Sequence, residues 1–101
     1  MPYGISDETL QFLRLVFQKY AGIRQVVIYG SRAKGNYRRG SDIDLALKTG
    51  GSFSFTDLLN IKNDFEDSDI PYFVDVLVYE NLSNPELKDH IDRVGKVLYS
   101  A

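Results

Sequence analysis

The 101-residue sequence contains no cysteine, which excludes a disulfide framework and a thiolate zinc site and fits a cytoplasmic setting. With a single histidine in the chain, any metal has to be held by oxygen or by that imidazole. No stretch approaches the roughly 20 consecutive apolar residues of a membrane span, and the opening MPYGISDETL lacks the charged-then-apolar pattern of a secretory signal. A soluble, non-exported protein is the expectation. The net charge is only −2, which argues against a broad nonspecific nucleic-acid footprint, since that needs a basic face. Linkers, internal repeats and low-complexity segments are also missing. One domain over residues 1–101 is therefore expected, and 44% hydrophobic with 13% aromatic residues is enough for one core.

What is present is a clear order of elements. Ser6 followed by Asp7 and Glu8 reads as a helix start, and Leu10, Leu13, Phe17 and Tyr20 recur at helical spacing. Gly22 ends that helix, and QVVIYG is a β-branched run that predicts a first strand over Gln25–Tyr29. Ser31 to Lys34 has room for one helical turn. SDIDLALK alternates, with Asp42, Asp44 and Ala46 on one face and Ile43, Leu45 and Leu47 on the other, which predicts a second strand. Thr56, Leu58, Leu59, Lys62 and Phe65 predict a helix of about three turns, and YFVDVLVY, residues 72–79, predicts a third strand, read as central in the sheet. Asn84 and Pro85 open a last helix whose stripe is Leu87, Ile91, Val94 and Leu98. The order is αβαβαβα, an α/β (α+β) arrangement with a small mixed three-stranded sheet covered by helices. The helical crossover favours parallel pairing of strands two and three, while the short link between strands one and two permits antiparallel pairing.

The stretch GSRAKGNYRRGSDIDLAL, residues 30–47, carries the chemistry. Carboxylates at i and i+2 of a strand leave one face about 7 Å apart, close enough for their oxygens to share one or two cations. Asp75 lies alone among Val74, Val76, Leu77 and Val78, and an unpaired carboxylate in an apolar strand calls for a cation, a basic partner or a raised pKa. With the third strand beside the second, Asp42, Asp44 and Asp75 meet on one face. Such oxygen ligands suit Mg²⁺, which prefers to share its site with substrate phosphates. Two ions about 3.5–4 Å apart stabilise the attacking and leaving oxygens of an in-line nucleotidyl displacement. Gly30 lets the backbone approach a ligand, and Ser31 with the N–H groups of the next turn can hold a triphosphate. Arg32 and Lys34 can add charge to that site, although a solvated basic loop including Arg38 and Arg39 accounts for them equally well.

These residues give the sequence a family likeness. It resembles the DNA polymerase beta-like nucleotidyltransferase superfamily, whose signature is Gly-Ser, a spacer, Asp-x-Asp and a third acid on a later strand. Here those positions are Gly30, Ser31, Asp42, Asp44 and Asp75. GSRAKG, SDIDLAL and the closing GKVLY look closest to the minimal nucleotidyltransferases of prokaryotes. The resemblance implies the nucleotidyltransferase fold, Asp42 and Asp44 binding both Mg²⁺ ions, and Asp75 completing one site and helping to activate the attacking hydroxyl. It implies ATP as donor, with Gly30 and Ser31 on the triphosphate. It further implies the antitoxin of a toxin–antitoxin pair, which transfers AMP to a tyrosine of a helical HEPN toxin partner in a hetero-oligomer. Two rivals stand beside it: an antitoxin that neutralises by binding and occlusion, and an adenylyltransferase acting on a small hydroxyl compound. His90 and the aromatic residues Tyr29, Phe73 and Tyr79 are read as packing, and NDFEDSD as a solvated helix end.

Overall fold

The structure is a computed structural model, and it describes residues 2–101. A short 3₁₀ turn over Pro2–Gly4 leads into α1 (Asp7–Gln18), where the Ser6 side chain accepts from the Thr9 N–H, and Asp7 and Glu8 complement the positive end of the helix. The strand β1 (Ile23–Tyr29) is followed by the single turn α2 (Ser31–Lys34), and β2 spans Ile43–Thr49. Ser54 and Asp57 form a reciprocal capping box at the start of α3 (Phe55–Glu66). Then come β3 (Val74–Val78), a second 3₁₀ turn at Tyr79–Asn81, α4 (Pro85–Val94) and β4 (Lys96–Ser100).

The sheet has four strands in the order β3-β2-β1-β4. The pairs β1–β2 and β1–β4 are antiparallel, and β2–β3 is parallel. Strand alternation sends Val26, Ile28, Ile43, Leu45 and Leu47 to one face, where they join Leu13 and Phe17 of α1 and Ile61 and Phe65 of α3 in the main core. The opposite face carries Val27, Tyr29 and Ala46, covered by Ile91 of α4 with Leu77, Tyr79, Leu82 and Leu87 around it. Among the described residues no helix is long and apolar enough to cross a membrane.

Three expectations are corrected. The sheet has a fourth strand, because the last helix stops at Val94 and Leu98 is buried from β4 in the main core. Gly95 adopts extended backbone there, and a methyl group on it would collide with the Ile91 carbonyl and a Val27 methyl. Also, β3 is an edge strand. Asp75 is exposed on it, so its carboxylate is solvated and the apolar surroundings read from the sequence do not apply. Phe73, read as packing, is 68% exposed.

Candidate active site

Asp44 stands at the centre of the site because of register. It lies opposite Tyr29 in the antiparallel β1–β2 pair and opposite Asp75 in the parallel β2–β3 pair. Residues paired in this way share a face, so the two carboxylates and the tyrosine are neighbours on the face that α4 only partly covers. Asp42 is exposed one residue before β2. Ile43, between the two acids, is fixed by its N–H donating to the Phe73 carbonyl at 2.9 Å and by a fully buried side chain.

Gly30 faces Asp44 directly. Its backbone has φ 74° and ψ −155°, a conformation open in practice only to glycine, and a Cβ built on it would lie 2.5 Å from Asp44 Oδ2. The Asp44 carboxylate thus rests against the backbone of the turn that opens with Ser31. Closing that turn, the Gly35 N–H donates to the Ser31 carbonyl at 3.0 Å.

The electrostatics follow from this packing. Asp44 is half-buried, and its pKa is raised, first by desolvation and then by the charges of Asp75 and Asp42, against opposing pulls from His90 and Arg32. Burial, and then the charges of Asp44 and Asp75, push the Tyr29 phenol up to about 12. The His90 ring meets Tyr29 edge-on at 6.1 Å. His90, assigned only to packing from the sequence, therefore stands at the margin of the acidic cluster. A lone histidine on an amphipathic helix gives no sequence signal of that placement.

The basic residues separate. Lys34 is exposed at the end of α2, and Arg38 and Arg39 are exposed on the following loop. Arg32 is turned inward and is only 3% exposed, so its guanidinium is not presented on the open face as the sequence reading allowed. Among the described residues every acceptor it meets is a backbone carbonyl, of Ser41, Tyr3 or Gly4.

Among the described residues no three carboxylate or imidazole groups converge as a ready-made metal cage. The donor set still suits a hard cation. Mg²⁺ takes one or two protein carboxylates, keeps waters and completes its shell with phosphate oxygens, and here adjacent carboxylates adjoin the Gly30–Ser31 backbone. An open groove of about 400 Å³ runs along the outer side of β3, with Lys62, Phe73 and Asp75 in its walls. The larger 570 Å³ groove, between Glu8, Phe12 and Asp69, has none of Gly30, Ser31, Asp42, Asp44 or Asp75 in its lining.

A mixed sheet that presents a Gly-Ser turn against an Asp-x-Asp strand, with a third acid on the parallel neighbour, has the architecture of a nucleotidyltransferase domain. The chain belongs to the polymerase beta nucleotidyltransferase family, whose sequence profile matches residues 11–101. It is 32% identical over 94 residues to a Haemophilus influenzae protein named "Probable protein adenylyltransferase MntA", covering 93% of this chain and 82% of that one. Solved structures share the fold. A toxin–antitoxin crystal structure with AMP-PNP superposes with a TM-score of 0.74 at 17% identity, over 91% of this chain and 73% of that one. A complex of tri-AMPylated Shewanella oneidensis HEPN toxin with MNT antitoxin gives 0.61 at 16% identity, over 94% of this chain and 69% of that one.

Proposed function

We propose that this chain is a protein adenylyltransferase of the antitoxin type, moving AMP from ATP to a tyrosine hydroxyl of a HEPN toxin partner in the cytoplasm. The observation that carries the reading is the contact of Asp44 with the Gly30 backbone, together with its register opposite Asp75. That contact joins a carboxylate cluster to a phosphate-holding turn. The likeness to the H. influenzae adenylyltransferase, and the AMPylated toxin in the S. oneidensis complex, supply the acceptor class.

In this reading Asp42, Asp44 and Asp75 would hold two Mg²⁺ ions, with waters and phosphate oxygens completing their shells, and Gly30 and Ser31 would grip the triphosphate through backbone N–H groups and the serine hydroxyl. Lys34 adds charge from the end of the turn, while Arg32 serves the site from behind. When bound, the ions neutralise the triphosphate and stabilise the attacking and leaving oxygens. The acceptor hydroxyl attacks the α-phosphorus, the bond from that phosphorus to the bridging oxygen breaks, and pyrophosphate leaves. Asp75, exposed and adjacent to Asp44, takes the hydroxyl proton. The turn and strand fix the donor before the acceptor arrives, so the partner's docking supplies the remaining orientation.

The test mixes the protein with [α-³²P]ATP, Mg²⁺ and a HEPN toxin. Label on the toxin that disappears in Asp44→Asn, together with loss of neutralisation, supports the proposal. Undiminished neutralisation by Asp44→Asn establishes occlusion instead. Label on a small hydroxyl compound but not on the toxin establishes the second rival.

A further inference from the structure

We infer that Arg32 is a positioning residue that ties the phosphate turn and the Asp42 loop to the N-terminal turn, so that Gly30–Ser31 and Asp42 are held as one piece. The inference rests on the functional reading above for its purpose and on the hydrogen bonds of Arg32 for its geometry. The Ser41 carbonyl accepts from Nε at 3.0 Å and from Nη2 at 2.7 Å, and Nη1 donates to the carbonyls of Tyr3 at 2.8 Å and Gly4 at 3.3 Å. The Ser41 carbonyl belongs to the peptide that joins Ser41 to Asp42, while the Arg32 backbone is itself the second residue of α2. One planar fork therefore spans the two segments that carry the Gly-Ser and Asp-x-Asp motifs.

The surroundings of the guanidinium are built for it. Its Cζ lies over the rings of Tyr37 and Tyr72, 5.3 and 4.9 Å from their centroids. Tyr3 and Gly4 are consecutive residues with positive φ, 59° and 67°, and both of their carbonyls accept from the same Nη1. The Tyr72 hydroxyl donates to the Gly4 carbonyl as well, at 3.3 Å. A methyl group on Gly4 would run into the Tyr37 ring. Tyr72 leads into β3, three residues before Asp75, so the third acid's strand is fastened to the same knot. A buried charge whose hydrogen-bond partners among the described residues are neutral carbonyls is a costly way to stabilise a fold, which fits a positioning role. The anchor, Tyr3–Gly4, lies outside the residues that match the family profile.

The test compares Arg32→Lys, Arg32→Met and Gly4→Ala with the unsubstituted protein, by amide hydrogen exchange and by transfer kinetics per mole of folded protein. Lysine keeps the charge but loses the planar fork, so Arg32→Lys is expected to fare no better than Arg32→Met. All three should exchange faster at residues 31–35 and 41–43, with α1 and β1 unchanged. The corresponding kcat/KM for ATP should fall about 10- to 100-fold, the scale of a roughly 1 Å misplacement. A purely structural role would lower the folded fraction and leave KM and kcat of the folded molecules unaltered. Wild-type kinetics in Arg32→Lys, or unchanged exchange in Arg32→Met, overturns the inference; if Arg32→Met does not fold, Gly4→Ala reads the same coupling from the other end. Exchange needs no turnover. If the unsubstituted protein transfers no AMP, the functional proposal falls while exchange still decides the role of Arg32.

Discussion

Replacing Gly30 by alanine tests the contact on which the site is built. Two costs arise together. The backbone conformation, φ 74° and ψ −155°, belongs to a region essentially reserved for glycine, and occupying it with a side chain costs about 1–3 kcal/mol. The new Cβ would sit 2.5 Å from Asp44 Oδ2, where ordinary contact begins at 3.4 Å, so the carboxylate has to withdraw by about 0.9 Å. Each kcal/mol lowers Tm by about 4–8 °C in a domain of this size, and a shift near 1 Å of a reacting group lowers rate by about 10²-fold. Gly30→Ala is therefore expected to melt several degrees lower and to lose about two orders of magnitude in transfer rate. Gly35→Ala is the control. Gly35 has φ 87° and ψ 3°, the milder left-handed helical conformation, with open space around it, so its alanine variant carries positive-φ strain without touching Asp44 and should keep most activity. Thermal unfolding followed by circular dichroism, with turnover of labelled ATP on the folded fraction, measures both. If Gly30→Ala turns over within about threefold of wild type, the proximity of Asp44 to the turn is irrelevant to the reaction and the argument fails.

Asp44 is raised above the ordinary carboxylate value of 3.8, so the folded state holds its proton more tightly than the unfolded state does. The sign is that stability falls as pH rises through and above that value. Without metal, Asp44→Asn should melt higher than wild type at pH 7, with the gap closing below about pH 3.8; Mg²⁺ and ATP should then stabilise wild type more than the variant. For Tyr29, whose phenol is pushed from 10 to about 12, stability should fall as pH rises between those two values and be insensitive to this group below them. Urea titrations at alkaline pH should show a smaller loss in Tyr29→Phe than in wild type, the remainder coming from the phenols of Tyr20 and Tyr79, which are also raised. Leu98→Ala, at a site 4% exposed in the main core, should cost about 2–5 kcal/mol. In contrast, Val97→Ala, at a 55% exposed position, should stay within about 0.5 kcal/mol by the same urea assay.

The segment around the acids was legible because its physics is local. Alternation in SDIDLALK sets which residues share a face, and Asp42, Asp44 and Ala46 lie opposite the core-facing Ile43, Leu45 and Leu47. β4 was hidden because Leu98 falls four residues after Val94 and seven after Ile91, in phase with the helical stripe. Only the extended Gly95, crowded by Val27, separates helix from strand. A run such as YFVDVLVY resembles a strand covered on both sides, and nothing within it reveals that its outer edge has no neighbour. The inward course of Arg32 was illegible for a similar reason. Its acceptors lie 9, 28 and 29 residues away, and a basic loop in the sequence does not show which of its cations has carbonyls waiting.

The outermost strand has a bearing on solubility. With Val74, Val76, Leu77 and Val78 along a free margin, it offers unpaired peptide groups that a second molecule's strand could extend into an aggregate. Its brevity, five residues, and the exposed Asp75 in its midst act as gatekeepers against that fate. Demands from chemistry and from colloidal behaviour thus coincide on one side chain, and a neutral substitution there forfeits protection against self-association even where the fold itself is untouched.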